Sequence, residues 1–304
     1  GESGTNVKIG STGNLELAVY APLRIPGLHW MINTTISYEE AIALRLESAE
    51  ADFFHAYLQK YGYYDLFLIH PEGHIFYTVI HEPDYNTNIL TGVYADSNLG
   101  RLVRTVLDTQ QFGIVDFEPY APSNDAPAAF IAQPVVRNGQ ADMVVALQLP
   151  LDAINALMQQ REGMGQTGET YLVGADNLMR SDSLLDPTQH SVRASFANPT
   201  AGRVETTAVR EALAGQTGAR VMTDYRGVSV LSAYTPVNIG ATTWALIAEI
   251  DEAEVQQPIQ RLLHMSLIAG AMLAGLVVAA ALLFTRSIHR LVGADPAVVA
   301  RRLL

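Results

Sequence analysis

The chain has 304 residues, with 19 Lys and Arg against 31 Asp and Glu and no cysteine. The missing cysteines exclude a disulfide scaffold and any thiolate-held zinc or iron–sulfur centre. A formal charge of −12 argues against a nucleic-acid partner, whose phosphates require a basic face.

Residues 1–40 are informative because they recur. GESGTNVKIGSTGNLELAVYAPLRIPGLHWMINTTISYEE aligns without a gap on residues 215–254, at a constant offset of 214. The alignment pairs Gly4 with Gly218, Gly13 with Gly227, Tyr20 with Tyr234 and Pro22 with Pro236; it also pairs Trp30 with Trp244, the chain's 2 tryptophans. Each copy reads as two strands, LELAVYAPL then LHWMINTTI, and VSVLSAYTPV then TTWALIAEI. Alternation and β-branched content support strands, and Pro26–Gly27 and Gly240 supply turn chemistry. A weaker third copy runs AAFIAQPV (128–135), Arg137–Asn138–Gly139, then MVVALQL (143–149).

Ser37 and Glu40 have the spacing of a capping box. Ile42, Leu46, Ala49, Phe53 and Tyr57 then form an apolar stripe that predicts one long helix over 37–61, stopped by Gly62. YDLFLIHPEGHIFYTVI (64–80) reads as a β-hairpin about Pro71–Glu72–Gly73, and ETYLVGADNLMRSD (169–182) as a second about Ala175–Asp176–Asn177. A shorter helix starts near Asp96 or Ser97 with Leu99, Leu102, Val103, Val106 and Leu107 inward, and another near Pro150. These pieces assemble into a membrane-distal module at 62–150 and a linker helix with a membrane-proximal module at 151–251. Residues 1–36 read as the closing strand pair of an upstream module, so the chain is expected to be an excerpt.

Residues 252–261 predict a juxtamembrane helix interrupted only by Pro258. From 262 to 285 there are 24 positions without a formal charge, bracketed by Arg261 and Arg286. Twenty such residues at about 1.5 Å each span roughly 30 Å, the hydrocarbon thickness of a bilayer. Residues 1–260 carry a net charge of −16 and residues 261–304 one of +4. Lys and Arg mark the cytoplasmic side, which puts the acidic bulk outside and the C-terminus inside.

YGYYDLFLIHPEGHIFYTV (61–79), TGETYLVGADNLMRSDS (167–183) and VLSAYTPVNIGATTWALIAEID (230–251) resemble the double Cache sensor domain of bacterial chemoreceptors and sensor kinases, over about residues 37–258. Residues 286–304 resemble the opening of a HAMP domain through Gly293–Ala294–Asp295–Pro296. The resemblance implies an α+β fold: tandem PAS-like Cache modules, antiparallel sheets behind a long N-terminal helix, and one C-terminal transmembrane helix. It implies a ligand pocket in the distal module, a homodimer, and a bacterial inner-membrane protein with a periplasmic sensor and a cytoplasmic C-terminus. The expected function is small-molecule sensing and transmembrane signalling as a methyl-accepting chemoreceptor. The alternative is the sensor region of a receptor enzyme, a histidine kinase or nucleotide cyclase. Either output lies beyond residue 304, which leaves this chain without catalysis or a cofactor. Amino-acid-binding members carry an Arg, then a Trp–Tyr pair, before the short helix. Residues 86–101 have no Trp and no Arg ahead of that helix, and Pro122 stands near the position of an expected Asp. An α-amino acid held in the usual way is therefore not expected.

Asn88, Tyr94, Asp96, Ser97 and Asn98 gather before and at the start of the 96–110 helix. Unpaired N–H groups there suit a carboxylate ligand; the plainer reading is that Asp96 or Ser97 caps the helix. Tyr120 and Ser123 either add hydroxyls to the same mouth or belong to a loop. Arg180 and Asp182, with Ser181, Ser183, Asp224 and Tyr225, form either a second polar pocket or a structural ion pair. His70 and His74 flank a turn, with His81 nearby. Imidazoles across a tight turn are expected to face solvent, and without a converging third ligand no metal is expected.

Overall fold

The computed structural model describes residues 2–11, 13–43, 52–292 and 300–301. They form two units, Gly1–Ile250 and Asp251–Leu304.

The first unit opens with β1 (Gly4–Ile9), β2 (Leu15–Ile25) and β3 (Leu28–Ser37), an antiparallel sheet in that order. β1 joins the two strands expected from the sequence. Helix α1 (Tyr38–Ile42) follows, and α2 (Phe53–Tyr61) ends at Gly62 in the left-handed conformation. Ser37 makes no side-chain cap to α1, so the expected capping box is not formed. The neighbouring Glu39 accepts from Tyr85 at 2.5 Å, and Asp52 caps α2 through the His55 N–H. Of the expected stripe, Ile42 and Tyr57 pack inward and Phe53 is exposed; Leu46 and Ala49 lie outside the described residues.

The distal module contains β4 (Asp65–Ile69), β5 (Ile75–Thr78), α3 (Asn98–Thr109), β6 (Gly113–Tyr120), β7 (Ala126–Arg137) and β8 (Gln140–Gln148). Its strands form one antiparallel sheet ordered β5-β4-β8-β7-β6. All five residues of β4 are buried because both faces of the sheet are covered. Phe67 and Ile69 pack with α3, while Leu66 and Leu68 pack with α1, α2 and Leu15 of β2. Alternation along a strand therefore puts Asp65 on the α3 face with Phe67.

The linker helix α4 (Leu151–Met158) leads to β9 (Glu169–Val173), α5 (Val192–Ala197), α6 (Pro199–Gly202) and α7 (Thr207–Leu213). β10 (Gly218–Thr223), β11 (Ser229–Ile239) and β12 (Thr242–Asp251) complete a four-stranded sheet ordered β10-β11-β12-β9. The expected return arm of the second hairpin is not a strand. It turns at Asn177 and returns along β9 through an isolated bridge, Val173 to Met179, with backbone bonds from Gly174 to Leu178 and from Arg180 to Leu172.

The repeat survives in the register. Gly4 lies opposite Tyr20, and Gly218 lies opposite Tyr234. A Cβ would come within 2.4 Å of the Tyr20 hydroxyl at Gly4, and within 2.6 Å of the Tyr234 hydroxyl at Gly218. A tyrosine ring thus covers a glycine in both copies, which explains why both residues recur. Their tryptophans differ: Trp30 is 60% exposed and Trp244 only 3%. β9 flanks β12 in the second copy, and Phe117 of the distal β6 packs on Trp244 with ring centroids 6.0 Å apart.

The second unit is dominated by α8 (Glu252–Val292), 41 residues with Pro258 inside it. Among the described residues it is the one helix long and apolar enough to cross a membrane. The Gly293–Pro296 element lies outside the described residues.

Candidate ligand-binding site

A cleft of about 900 Å³ opens at the end of the distal sheet. Its walls are Gly62–Tyr64 after α2, Ile80 and Glu82 after β5, the turn from Pro119 to Pro127, and Gln148–Asp152 where β8 passes into α4. Arg193, Phe196 and Ala197 of α5 close it from the proximal module. A volume of this size suits a small metabolite.

Glu82 lines the cleft, and two more acids, Asp65 and Asp84, are buried outside its lining. Tyr64 donates to Glu82 Oε1 at 2.8 Å, Ser123 to Glu82 Oε2 at 2.5 Å, and Tyr120 to Asp84 Oδ2 at 2.5 Å. Asp65 accepts the backbone N–H groups of Leu66, Val79 and Ile80 on Oδ1, at 2.7, 2.9 and 3.2 Å. Those bonds pin the chain leaving β5 to the start of β4. Gln148 lies directly across from Asp65 in the β4–β8 register and so shares its face. Burial pushes Asp65 up to about 7 against the pull of its three N–H donors, and the neighbouring Asp84 charge adds to the rise. Burial likewise raises Asp84, opposed by its bond from Tyr120. The phenols move with them: burial and the Glu82 bond raise Tyr64 to about 12.

The residues singled out in the sequence divide into two groups. Ser123 lines the cleft and donates to Glu82, while Tyr120 is buried outside the lining and donates to Asp84. The others serve the backbone. Asn98 is buried and donates to the carbonyls of Asp116 and Ala128; Asn88 donates to the Glu72 carbonyl and accepts from Leu90 and Thr91. Ser97 caps α3 through the Gly100 N–H, the plainer of the two readings. Asp96 is exposed, its carbonyl accepting from Arg101, and Tyr94 packs against the distal core. Asp65, Glu82, Asp84 and Gln148 escaped the sequence reading. One signal was present: an aspartate opening the otherwise apolar run DLFLI.

In the proximal module, Arg180 is buried and locks the two modules together. Its Nε and Nη2 donate to Asp116 of β6 at 2.7 and 2.8 Å, and Nη2 also meets Asp176 at 2.9 Å. Trp244 Nε1 donates to the same Asp116 carboxylate at 2.9 Å. Asp182 joins Asn155 of α4 to the Val192 N–H of α5, and Asp224 is held by the Arg226 and Val228 amides and the Arg226 guanidinium. Tyr225 donates to Glu169 at 2.5 Å. A shallower hollow of about 380 Å³ adjoins Asp224 and Tyr225. His74 corrects an expectation: it is buried, with Nε2 2.9 Å from the side-chain Oδ1 of Asn86. Among the described residues no three His, Asp or Glu side chains are grouped to hold a metal ion.

A family model described as a Cache domain, dCache_1, matches residues 37–259. The chain belongs to the Cache domain family. Its match spans both modules and the start of α8, so the cleft lies wholly within the Cache region. No curated protein matches the chain. Among solved structures, the ligand-binding domain of the Pseudomonas aeruginosa PAO1 amino acid chemoreceptor PctC, in complex with GABA, is 16% identical at a TM-score of 0.44. That alignment covers 70% of this chain and 86% of that one. The periplasmic sensory domain of the Campylobacter jejuni chemoreceptor Tlp1 is 16% identical, TM-score 0.40, covering 54% of this Cache chain and 58% of its own. The ligand-binding domain of the Pseudomonas fluorescens chemoreceptor CtaA with L-isoleucine is 15% identical, TM-score 0.42, covering 64% and 71%.

Proposed function

We propose that this chain is the sensing region of a bacterial transmembrane receptor, most directly a chemoreceptor, and that a small molecule binds in the distal cleft. The observation that carries this reading is the cleft itself, because its walls come from both modules. A molecule held there changes how α5 packs on the distal turn. That strain meets the Asp116–Arg180–Trp244 tie, and Trp244 lies on β12. β12 ends at Asp251 and α8 begins at Glu252, with no linker residue between them. A shift of the strand is therefore delivered to the head of the membrane helix, since packed elements move between discrete arrangements. In this reading the sensor is periplasmic, the Arg-rich end beyond Arg286 is cytoplasmic and begins a HAMP-like segment, and the receptor works as a homodimer.

The test is a thermal-shift screen of the full chain in detergent against amines, organic acids, amino acids and purines. A ligand selective for the folded state raises the melting temperature by mass action. Ser123→Trp, which fills the cleft, is expected to abolish the shift. A shift that survives in this variant moves the site elsewhere.

A further inference from the structure

We propose that the outer edge of β3 and the apolar face beside it are the docking surface for the leading half of a third Cache module, a strand of the β9 kind with its preceding helix, carried earlier in the same polypeptide. The surface lies in residues 1–36, ahead of the matched Cache region, and its role is independent of where the ligand binds.

The strands of the first sheet coincide with those of the proximal module residue for residue. Shifting β1, β2 and β3 by the offset of 214 gives the bounds of β10, β11 and β12 at both ends. Their surroundings differ. β12 has β11 on one side and β9 on the other; β3 has β2 on one side, and no strand pairs its other edge among the described residues. Every residue of β3 from Leu28 to Ile36 is exposed, and none of β12 is. Side chains alternate along a strand and directly opposed residues share a face, so Trp30 and Ile32 lie with Leu23, Ile25, Leu28 and Ile36. Each of these is at least 38% exposed. The counterparts of Leu23, Ile25, Trp30 and Ile32 are Val237, Ile239, Trp244 and Leu246. Those four join the proximal core, as do Leu172 of β9 and Leu151, Ile154 and Met158 of α4.

An exposed apolar strand edge invites pairing, and proteins guard such edges with charge or proline. β3 carries no Lys, Arg, Asp, Glu or Pro. In both complete modules the leading strand comes earlier in the chain and lies antiparallel on the last one, β4 on β8 and β9 on β12. By the β9 register the docking strand pairs with Met31–Thr35, the counterparts of Ala245–Glu249. A second copy of this chain meets only half of the need. Pairing β3 with β3 fills the edge and leaves Leu23 and Ile25 on β2 uncovered, while stacking face on face covers them and leaves the edge. A strand with its helix supplies both, and a contiguous apolar patch of this kind marks an interaction surface.

The test fuses a second copy of residues 150–214, which hold α4, β9 and α5 to α7, directly ahead of Gly1 in the full chain in detergent. The gapless repeat sets Gly1 where Gly215 follows Ala214, so no linker is needed. The 2 tryptophans report, because the added segment has none. In the unextended chain acrylamide is expected to quench Trp30 and spare the buried Trp244; in the extended chain it is expected to spare both. Ile32→Lys is expected to leave the unextended chain unchanged and to restore quenching of Trp30 in the extended one. The copied Arg180 would lack its Asp116, and a buried cation without its partner is costly, so a second extension carries Arg180→Met in the copy. Trp30 still quenched in both extensions overturns the proposal, as does protection indifferent to Ile32→Lys. Trp30 already protected in the unextended chain overturns it as well, and a sedimenting dimer that Ile32→Lys dissociates then names a second copy as the occupant.

Discussion

Each module opens its leading strand with an acid, Asp65 on β4 and Glu169 on β9, and each acid faces the end of the closing strand. Asp65 opposes Gln148, and Glu169 opposes Glu249. In the proximal module Glu169 is the more fully paired acid, while Glu249 Oε1 and the Ser232 hydroxyl have no partner among the described residues. Glu169 accepts from Tyr225, Ser183 and the Leu184 and Leu185 amides, and Glu249 accepts from Tyr171 at 2.9 Å with the Ser232 hydroxyl beside it. In the distal module the nearby hydroxyls serve Glu82 and Asp84, Asp65 Oδ2 has no partner among the described residues, and the cleft adjoins. One scaffold position thus carries a buried acid pair or acid–amide pair in both copies, beside the cleft of about 900 Å³ through Tyr64 and Gln148 in one and beside the hollow of about 380 Å³ through Tyr225 in the other. The difference lies in which loop side chains fold over it.

The largest expected effect breaks the tie between the copies. Arg180→Met removes a buried guanidinium from Asp116 and Asp176, and breaking such a pair typically costs about 3–5 kcal/mol. Chemical denaturation should show that loss; a variant within 1 kcal/mol of the parent, on the order of a surface change, would mean that the modules are not held there.

Isosteric changes at the two equivalent acids sharpen the contrast. Glu169→Gln sets an amide against four donors and should cost about 1.5–3 kcal/mol, the range for hydrogen bonds to a charged group. Asp65→Asn keeps an acceptor for its three backbone N–H groups and neutralises the oxygen that lacks a partner, so at pH 5 it should cost little. The pH dependence separates them further. A carboxyl held above its unfolded value favours folding while protonated, so its contribution is complete below about 3.8 and is lost as pH rises through about 7. The loss is at most ~1.4 kcal/mol per pH unit for one group. Glu249, lifted to about 7 by burial, and the raised Asp84 act with the same sign, while buried His74, lowered from 6.5, acts against them. The stability difference between parent and Asp65→Asn isolates Asp65. It should favour the variant increasingly from pH 5 to pH 8; a flat difference would remove Asp65 from the titrating set.

Much of this fold was legible because it is local. The offset of 214 foretold the paired strands of both copies, and the Gly–Tyr pairs show why: each strand pair carries its own packing rule across two strands. The long apolar helix α8 was legible from composition alone. Two local readings held only in part. Ser37 makes no side-chain cap, and the arm after Asn177 stays bonded to β9 through the Arg180 N–H and the Leu172 carbonyl but forms no regular strand as Arg180 reaches Asp116. The site was less legible because its parts come from β4, the 82–84 loop, the 120–123 turn and the end of β8. Polar residues at a helix start drew attention to Ser97 and Asn98, which cap and brace. Alternation in DLFLI does place Asp65 with Phe67 and Ile69, but only the structure brings Asp84 and Gln148 to it.

The most direct test of the distal cleft as the ligand site is hydrogen exchange on the full chain in detergent, with and without a saturating ligand from the thermal-shift screen. Slowed exchange is expected at the amides of 80–84 and 120–125, with no change at Thr206, Thr207, Asp224 and Tyr225 around the proximal hollow. Protection confined to those proximal amides would contradict the assignment of the ligand site to the distal module.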